Sequence, residues 1–192
     1  MKIFVDFDDT LAKSSDVVVE YLNDRYSLNK TTQDVHDWCY RSICKQMTPT
    51  LVEAIYSGDY FWNNVQLFDD AVDVLAGHDV YLCTCGSDAN LEKKSVFLKE
   101  RGLPYKEAFV KTSDGNSGKD KRMYDMAGAI QIDDRVDALL YTNAAVKILF
   151  KNGNNHTWQK LPAHTNILVV NTWDEIKEIV RWYSDNQSFS AC

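Results

Sequence analysis

Lys2-Ile3-Phe4-Val5 is an apolar, β-prone run, and it ends directly in Asp6-Phe7-Asp8-Asp9-Thr10. That junction constrains the fold more than any other stretch. Carboxylates placed where a strand leaves a core are costly unless they are compensated. A hard divalent cation such as Mg²⁺ compensates them, because it takes oxygen ligands and brings phosphate oxygens with it. Open α/β sheets hold ligands at the carboxyl ends of their strands. The segment therefore predicts a first, central strand with a magnesium-assisted phosphate site at its end. The plainer reading is a helix N-cap, with Asp8, Asp9 or Thr10 capping the next helix.

The rest of the chain alternates between the two periodicities. A helix is expected over 11–28, with Val17, Val18, Tyr21, Leu22 and Arg25 at helical spacing and Ser14 or Ser15 starting it. Residues 34–60 are short, mixed and mostly helical in pattern, with Pro49 marking a helix start. They are rich in aromatics (Trp38, Tyr40, Tyr56, Tyr60, with Phe61 and Trp62 following) and lie between two core elements, as an inserted cap would. Further helices are expected over 69–76, 90–101 and 172–182. Strands are expected at Val80-Tyr81-Leu82-Cys83, Phe109-Val110, Ala129-Ile130-Gln131-Ile132, Val146-Lys147-Ile148-Leu149-Phe150 and 167–170. Residues 112–118 read as a loop, and Ser117-Gly118-Lys119-Asp120 as a capping box opening a helix to Ala127. Such alternation predicts an α/β fold: a doubly wound parallel sheet formed by 1–12 and 67–192, with a small helical cap at 13–66 inserted after the first strand.

The net charge of -7 argues against a partner that is a nucleic-acid polymer, which would call for a basic stripe. No apolar run reaches membrane-spanning length, and the charged first strand is no signal peptide. Cys39, Cys44, Cys83, Cys85 and Cys192 are odd in number, so buried free thiols in a reducing, cytoplasmic setting are expected rather than a disulfide framework. Cys83 and Cys85 are expected to share one face of a strand. His36, His78, His156 and His164 lack metal spacing and are expected at the surface or in loops, and 151–165 reads as a long polar loop.

Three expected strands end in residues suited to a phosphate site: Asp6, Asp8 and Thr10; Thr84; and Asp133 with Asp134. Lys119 and Lys121 precede the last of these. This ordered set resembles the haloacid dehalogenase-like (HAD) phosphatase superfamily, whose motifs are D-x-D-x-T, a strand-end Ser or Thr, a Lys and a late acidic pair. The resemblance implies a Rossmann-like core and a Mg²⁺-dependent phosphomonoester hydrolase. Asp6 would be the nucleophile and Asp8 the general acid and then base. Mg²⁺ would sit on the Asp6 carboxylate, the Asp8 main-chain carbonyl and Asp133, with Thr10 and Asp134 as outer partners. Thr84 and the Cys85 and Gly86 amides would bind phosphate, together with the motif lysine. Lys119 is favoured for that lysine, because Met123 and Met126 stand at helical offsets from it; Lys121 lies closer to Asp133. Asp9 stands where many members carry Gly.

A closer resemblance lies in Val80-Tyr81-Leu82-Cys83-Thr84, Ile132-Asp133-Asp134-Arg135 and Thr172-Trp173-Asp174-Glu175, which look like the corresponding stretches of 5'(3')-deoxyribonucleotidases. It implies a (deoxy)nucleoside monophosphate as the small-molecule partner, with cap aromatics stacking on the base. Trp38, Tyr40, Phe61 and Trp62 are the candidates, against the reading that such aromatics fill a small cap core. The alternatives are a phosphatase for a sugar phosphate or other metabolite, and a non-catalytic phosphate-binding protein. A homodimer is the one assembly kept in view.

Overall fold

A computed structural model describes residues 1–114 and 116–189. Gly115, inside the expected 112–118 loop, and Cys192, among the expected free thiols, lie outside the described residues. Among the described residues there are eight strands: β1 (Lys2–Val5), β2 (Asp79–Leu82), β3 (Cys85–Gly86), β4 (Lys106–Glu107), β5 (Val110–Lys111), β6 (Ile130–Asp133), β7 (Val146–Phe150) and β8 (Leu168–Val170). The helices are α1 (Ser14–Tyr26), α2 (Pro49–Ser57), α3 (Asp59–Asn64), α4 (Ala71–Leu75), α5 (Asp88–Glu100), α6 (Val136–Leu140) and α7 (Trp173–Phe189).

Six strands form one sheet in the order β4-β2-β1-β6-β7-β8, and every pairing is parallel. β1 is central because its residues are apolar on both faces: Ile3 and Val5 pack on one side and Phe4 on the other, all nearly inaccessible. A strand covered on both faces is what parallel sheets require. The register sets Val5 beside both Leu82 and Ile132. Strands 1, 2 and 6 therefore end at one level. The Asp6 amide donates to the Ile132 carbonyl at 3.0 Å, and the Cys83 amide to the Val5 carbonyl at 2.8 Å.

The two ends of the segment 13–66 lie side by side, through Lys13 N–H to Gln66 O (2.9 Å) and Phe68 N–H to Leu11 O (2.9 Å). Pro49 stands at the start of α2, and Thr48 caps it by accepting from the Leu51 amide. Phe61 and Trp62, candidates to stack on a base, are packed inside the protein. Phe61 is fully buried, and Trp62 packs against Phe7 and Phe97 with ring centroids 5.8 and 5.6 Å apart. Their hydrophobic area goes into the main apolar cluster, where burial is worth more than stacking at an open site.

Several local expectations give way to tertiary packing. The segment 118–127 is not an α-helix. The capping box of Ser117 and Asp120 forms, but it opens a 3-10 turn at Gly118–Met123, after which the chain extends. Cys83 and Cys85 do not share a strand face, because β2 ends at Leu82 and β3 begins at Cys85 to pair with β5. His156 is fully buried and bonded through Nδ1 to the Val35 carbonyl at 2.6 Å. α1 starts at Ser14, as expected, but neither Ser14 nor Ser15 caps it; their hydroxyls turn back to Asp8 and Asp9. α6 had too few residues to show a helical period. Among the described residues, no helix is long and apolar enough to cross a membrane.

Candidate active site

Asp6, Thr84 and Asp133 meet because they stand at the carboxyl ends of three adjacent parallel strands: Asp6 follows β1, Asp133 ends β6 and Thr84 lies two residues past β2. Asp6 and Asp133 are nearly inaccessible, and one ammonium lies between them. Lys121 Nζ stands 2.8 Å from Asp6 Oδ1 and 2.7 Å from Asp133 Oδ2. Burial works against its charge, yet Asp133 and Asp6 outweigh that and hold its pKa well above the usual lysine range. Lys119 is exposed. A 3-10 turn repeats every three residues, so Gly118 and Lys121 share the buried face and Lys119 points elsewhere. Gly118 is small for a reason: a Cβ there would lie 3.2 Å from Arg135 Nε.

Asp134, expected as an outer partner, joins Asp6 and Asp133 directly. One oxygen from each of the three carboxylates lies within 4.8 Å of the others. Burial pushes the Asp133 carboxyl up to about 6 and that of Asp134 well above the carboxylate range. Asp134 Oδ2 accepts from Trp158 Nε1 at 2.6 Å. Trp158 stacks on His156, with centroids 4.3 Å apart, and that contact fastens the polar segment 151–165 over the site.

Asp8 and Asp9 face different partners. The Asp8 carboxylate accepts from Ser14 Oγ at 2.8 Å and from Lys94 Nζ at 2.6 Å. Asp9 takes a left-handed backbone, φ 52°, and accepts from the Ser15 amide at 2.7 Å and from the Ser15 hydroxyl. It thus satisfies an amide in the first turn of α1 from outside the helix, although the N-cap position itself is held by Lys13 and not by Asp8, Asp9 or Thr10. Burial raises the Asp9 carboxyl to about 7. Ser15 donates to Asp9, so Tyr40 must donate to Ser15 Oγ (3.0 Å) and Tyr56 to Tyr40 (2.9 Å). Burial raises both phenols, which keeps them neutral donors.

Thr84 is buried and accepts from Lys94 Nζ at 2.9 Å. Its own hydroxyl hydrogen is left for another acceptor. Burial raises the Cys83 thiol, and raises that of Cys85 to about 11, so neither is a ready thiolate. Thr10 is buried; its carbonyl accepts from Trp173 Nε1 at 3.1 Å, while its hydroxyl finds no partner among the described residues.

Asp6, Asp8, Asp9, Thr84, Lys121 and Asp134 line a cleft of about 490 Å³. Trp38 and Tyr40 line it as expected, and so do Cys85 and Gly86; Phe61 and Trp62 do not. Sequence reasoning missed Tyr56, Asn90, Arg135, Trp158 and Lys94. For Lys94 a signal existed. It falls three residues after Leu91 and four before Leu98, on the buried stripe of α5, where a lysine is out of place.

The charges fit a divalent cation. Lys94 is matched by Asp8 and Arg135 by Asp137, which leaves Lys121 facing Asp6, Asp9, Asp133 and Asp134. An all-oxygen set with surplus negative charge suits Mg²⁺. The folded-state carboxyl values of about 6 and about 7 exceed the ordinary 3.8. The folded chain therefore binds more protons than the unfolded one in that window. Stability from these groups is present at low pH and is lost as pH rises through 6 to 7. Metal-free protein should melt lower near pH 8 than near pH 5, and Mg²⁺ should restore more at the higher pH. Asp134→Asn should raise the metal-free melting temperature near pH 8 by about 2–6 °C. Calorimetry on both chains checks this; a variant that melts lower at that pH would refute the charge count.

No protein-family profile matches the sequence, and no curated protein does. Solved structures match over nearly the whole chain. A predicted phosphatase from Clostridium acetobutylicum is 16% identical with a TM-score of 0.62, covering 93% of this chain and 97% of that one. A designated HAD-hydrolase from Bacillus subtilis, solved bound to magnesium, is 15% identical with a TM-score of 0.59 over 93% and 97%. A haloacid dehalogenase-like protein of unknown function from Agrobacterium tumefaciens is 11% identical with a TM-score of 0.60 over 95% and 98%. With its parallel six-stranded sheet in this arrangement, the chain has the Rossmann-like α/β fold of the haloacid dehalogenase-like hydrolases.

Proposed function

We propose that this chain hydrolyses a small phosphomonoester through Asp6. The observation that carries the reading is the separation of the two motif carboxylates. Asp6 lies on Lys121 beside Asp133, while Asp8, two residues on, is held apart by Lys94 and Ser14. One carboxylate is placed to attack and the other to move a proton. An Asp6 oxygen bonds to phosphorus as the P–O ester bond breaks, and the leaving oxygen takes a proton from the Asp8 carboxyl. Asp8, now a carboxylate, takes a proton from water; the water oxygen bonds to phosphorus and Asp6 leaves with its electron pair. Phosphate and the starting carboxylates result. Lys121 donates to Asp133 and forms an ion pair with Asp6, so even with one N–H turned to each a donor is left for a phosphoryl oxygen. The Thr84 hydroxyl supplies another. Asp6, Asp133 and Asp134, with the Asp8 carbonyl, would hold Mg²⁺, which when bound neutralises phosphoryl charge.

A nucleoside monophosphate, as in a deoxyribonucleotidase, is the substrate class we favour. Trp38, Tyr40, Tyr56 and Trp158 line the cleft above the acidic floor, and flat aromatics suit a base. Assay of nucleotides, sugar phosphates and p-nitrophenyl phosphate, with Mg²⁺ and with chelator, tests the reading. Stacking on an aromatic is worth about 1–3 kcal/mol per base. Trp38→Ala should therefore raise KM for nucleotides about tenfold and leave p-nitrophenyl phosphate nearly unchanged. Phe61→Ala should instead cost about 3–5 kcal/mol of stability without preference among substrates. Sugar phosphates turned over as well as nucleotides would move the assignment to the metabolite phosphatases. Full activity in chelator would end the metal reading.

A further inference from the structure

Lys94 is the second fully buried ammonium in the site, and nothing in the hydrolysis of the ester uses it directly. Its three donors are all spent inside the protein: on Asp8 Oδ2 at 2.6 Å, Thr84 Oγ1 at 2.9 Å and the Cys85 carbonyl at 3.0 Å. The Phe7 ring lies under it, 5.2 Å from centroid to Nζ. An ammonium has three N–H groups and no acceptor, so Lys94 cannot bind a phosphoryl oxygen without giving up one of these bonds. Lys121 differs in this respect, with a donor in reserve.

We propose that Lys94 is a positioning residue that acts through Asp8 and Thr84. The inference rests on the phosphatase reading. Asp8 is held by both oxygens, one from Ser14 at the start of α1 and one from Lys94 in α5. Together they define the plane of the carboxylate that must meet the leaving oxygen. By donating into Thr84 Oγ1, Lys94 also turns the Thr84 hydroxyl hydrogen away from itself, toward the cleft that Thr84 lines. One cation thus aims a proton-transfer group and a phosphate donor at once. Its cost of burial is met by a salt bridge and two hydrogen bonds, which explains how a lysine occupies the apolar stripe of α5.

The test compares wild type, Lys94→Met, Asp8→Asn and the double variant on two substrates with Mg²⁺: an alkyl phosphomonoester and p-nitrophenyl phosphate. Nitrophenolate leaves without needing a proton; an alkoxide does not. Lys94→Met should lower kcat on the alkyl ester about a hundredfold and the loss of kcat on the nitrophenyl ester should be at least about tenfold smaller, while KM should rise by a similar factor on both esters as the Thr84 hydroxyl loses its aim. Added to Asp8→Asn, the lysine change should cost almost nothing more in kcat on the alkyl ester, because the group it aims is already lost. If melting shows that Lys94→Met does not fold, Lys94→Gln, which keeps two donors without the charge, is put through the same comparison. Equal losses of kcat on both esters, multiplied in the double variant, would overturn the assignment and leave Lys94 a structural ion. Failure of the wild-type chain to hydrolyse either ester would overturn the phosphatase reading itself, and the role of Lys94 with it.

Discussion

Asp6→Asn should abolish turnover and leave the fold standing. An asparagine keeps the shape of the side chain, and its Oδ1 can still accept from Lys121, which lies 2.8 Å from Asp6. What it lacks is an anionic oxygen able to bond to phosphorus. The substitution also removes one of the negative charges crowded beside Asp133 and Asp134, so melting of the metal-free protein near neutral pH should not fall. Loss of a nucleophile that works as part of a unit costs several powers of ten, and kcat should drop by at least about 10⁴-fold. Phosphate release measures the loss, and quenching during turnover should trap an acyl phosphate on the wild-type chain only. Release within tenfold of wild type would remove the covalent mechanism.

Lys121→Met should be nearly as severe, and it should also weaken the fold. Lys121 is 1% exposed and is bonded to two buried carboxylates. Breaking such a group by removing one partner strands the remaining charges, at about 3–5 kcal/mol. For a chain of this length that lowers the metal-free melting temperature by about 10 °C. Mg²⁺ should return part of that stability, because a cation replaces some of the lost charge. It should not return activity, since the donor aimed at the phosphoryl group is gone; kcat should fall about 10³-fold. Lys119→Met, a change at an exposed position, should stay within about twofold on both measurements. The reverse ranking would give the motif role back to Lys119.

How the two lysines sort shows where sequence reasoning stopped. The placement of Asp6, Thr84 and Asp133 was legible because each stands at or just beyond the carboxyl end of a strand. A parallel sheet levels those strand ends whatever the loops do, so a short motif and its order along the chain were enough to bring them together. The apolar character of Ile3, Phe4 and Val5 was likewise enough to make β1 central. Lys119 and Lys121 sit in six residues that satisfy a capping box in either helix type. Only the contact of Gly118 with Arg135 and the burial of Lys121 decide for the tighter turn. The cap aromatics obey the same logic. Nothing local separates Phe61, buried against Tyr56 and Trp62, and Trp62, packed on Phe7 and Phe97, from Trp38, Tyr40 and Tyr56, which line the cleft. Trp158 reaches Asp134 across 24 residues, and Lys94 reaches Asp8 across 86. The sequence by itself determined the sheet, its direction and the strand-end carboxylates, because those arise from periodicities a few residues long. Tertiary structure decided which cation meets which carboxylate and which ring faces the cleft, because such pairings are set by packing between segments distant in the chain.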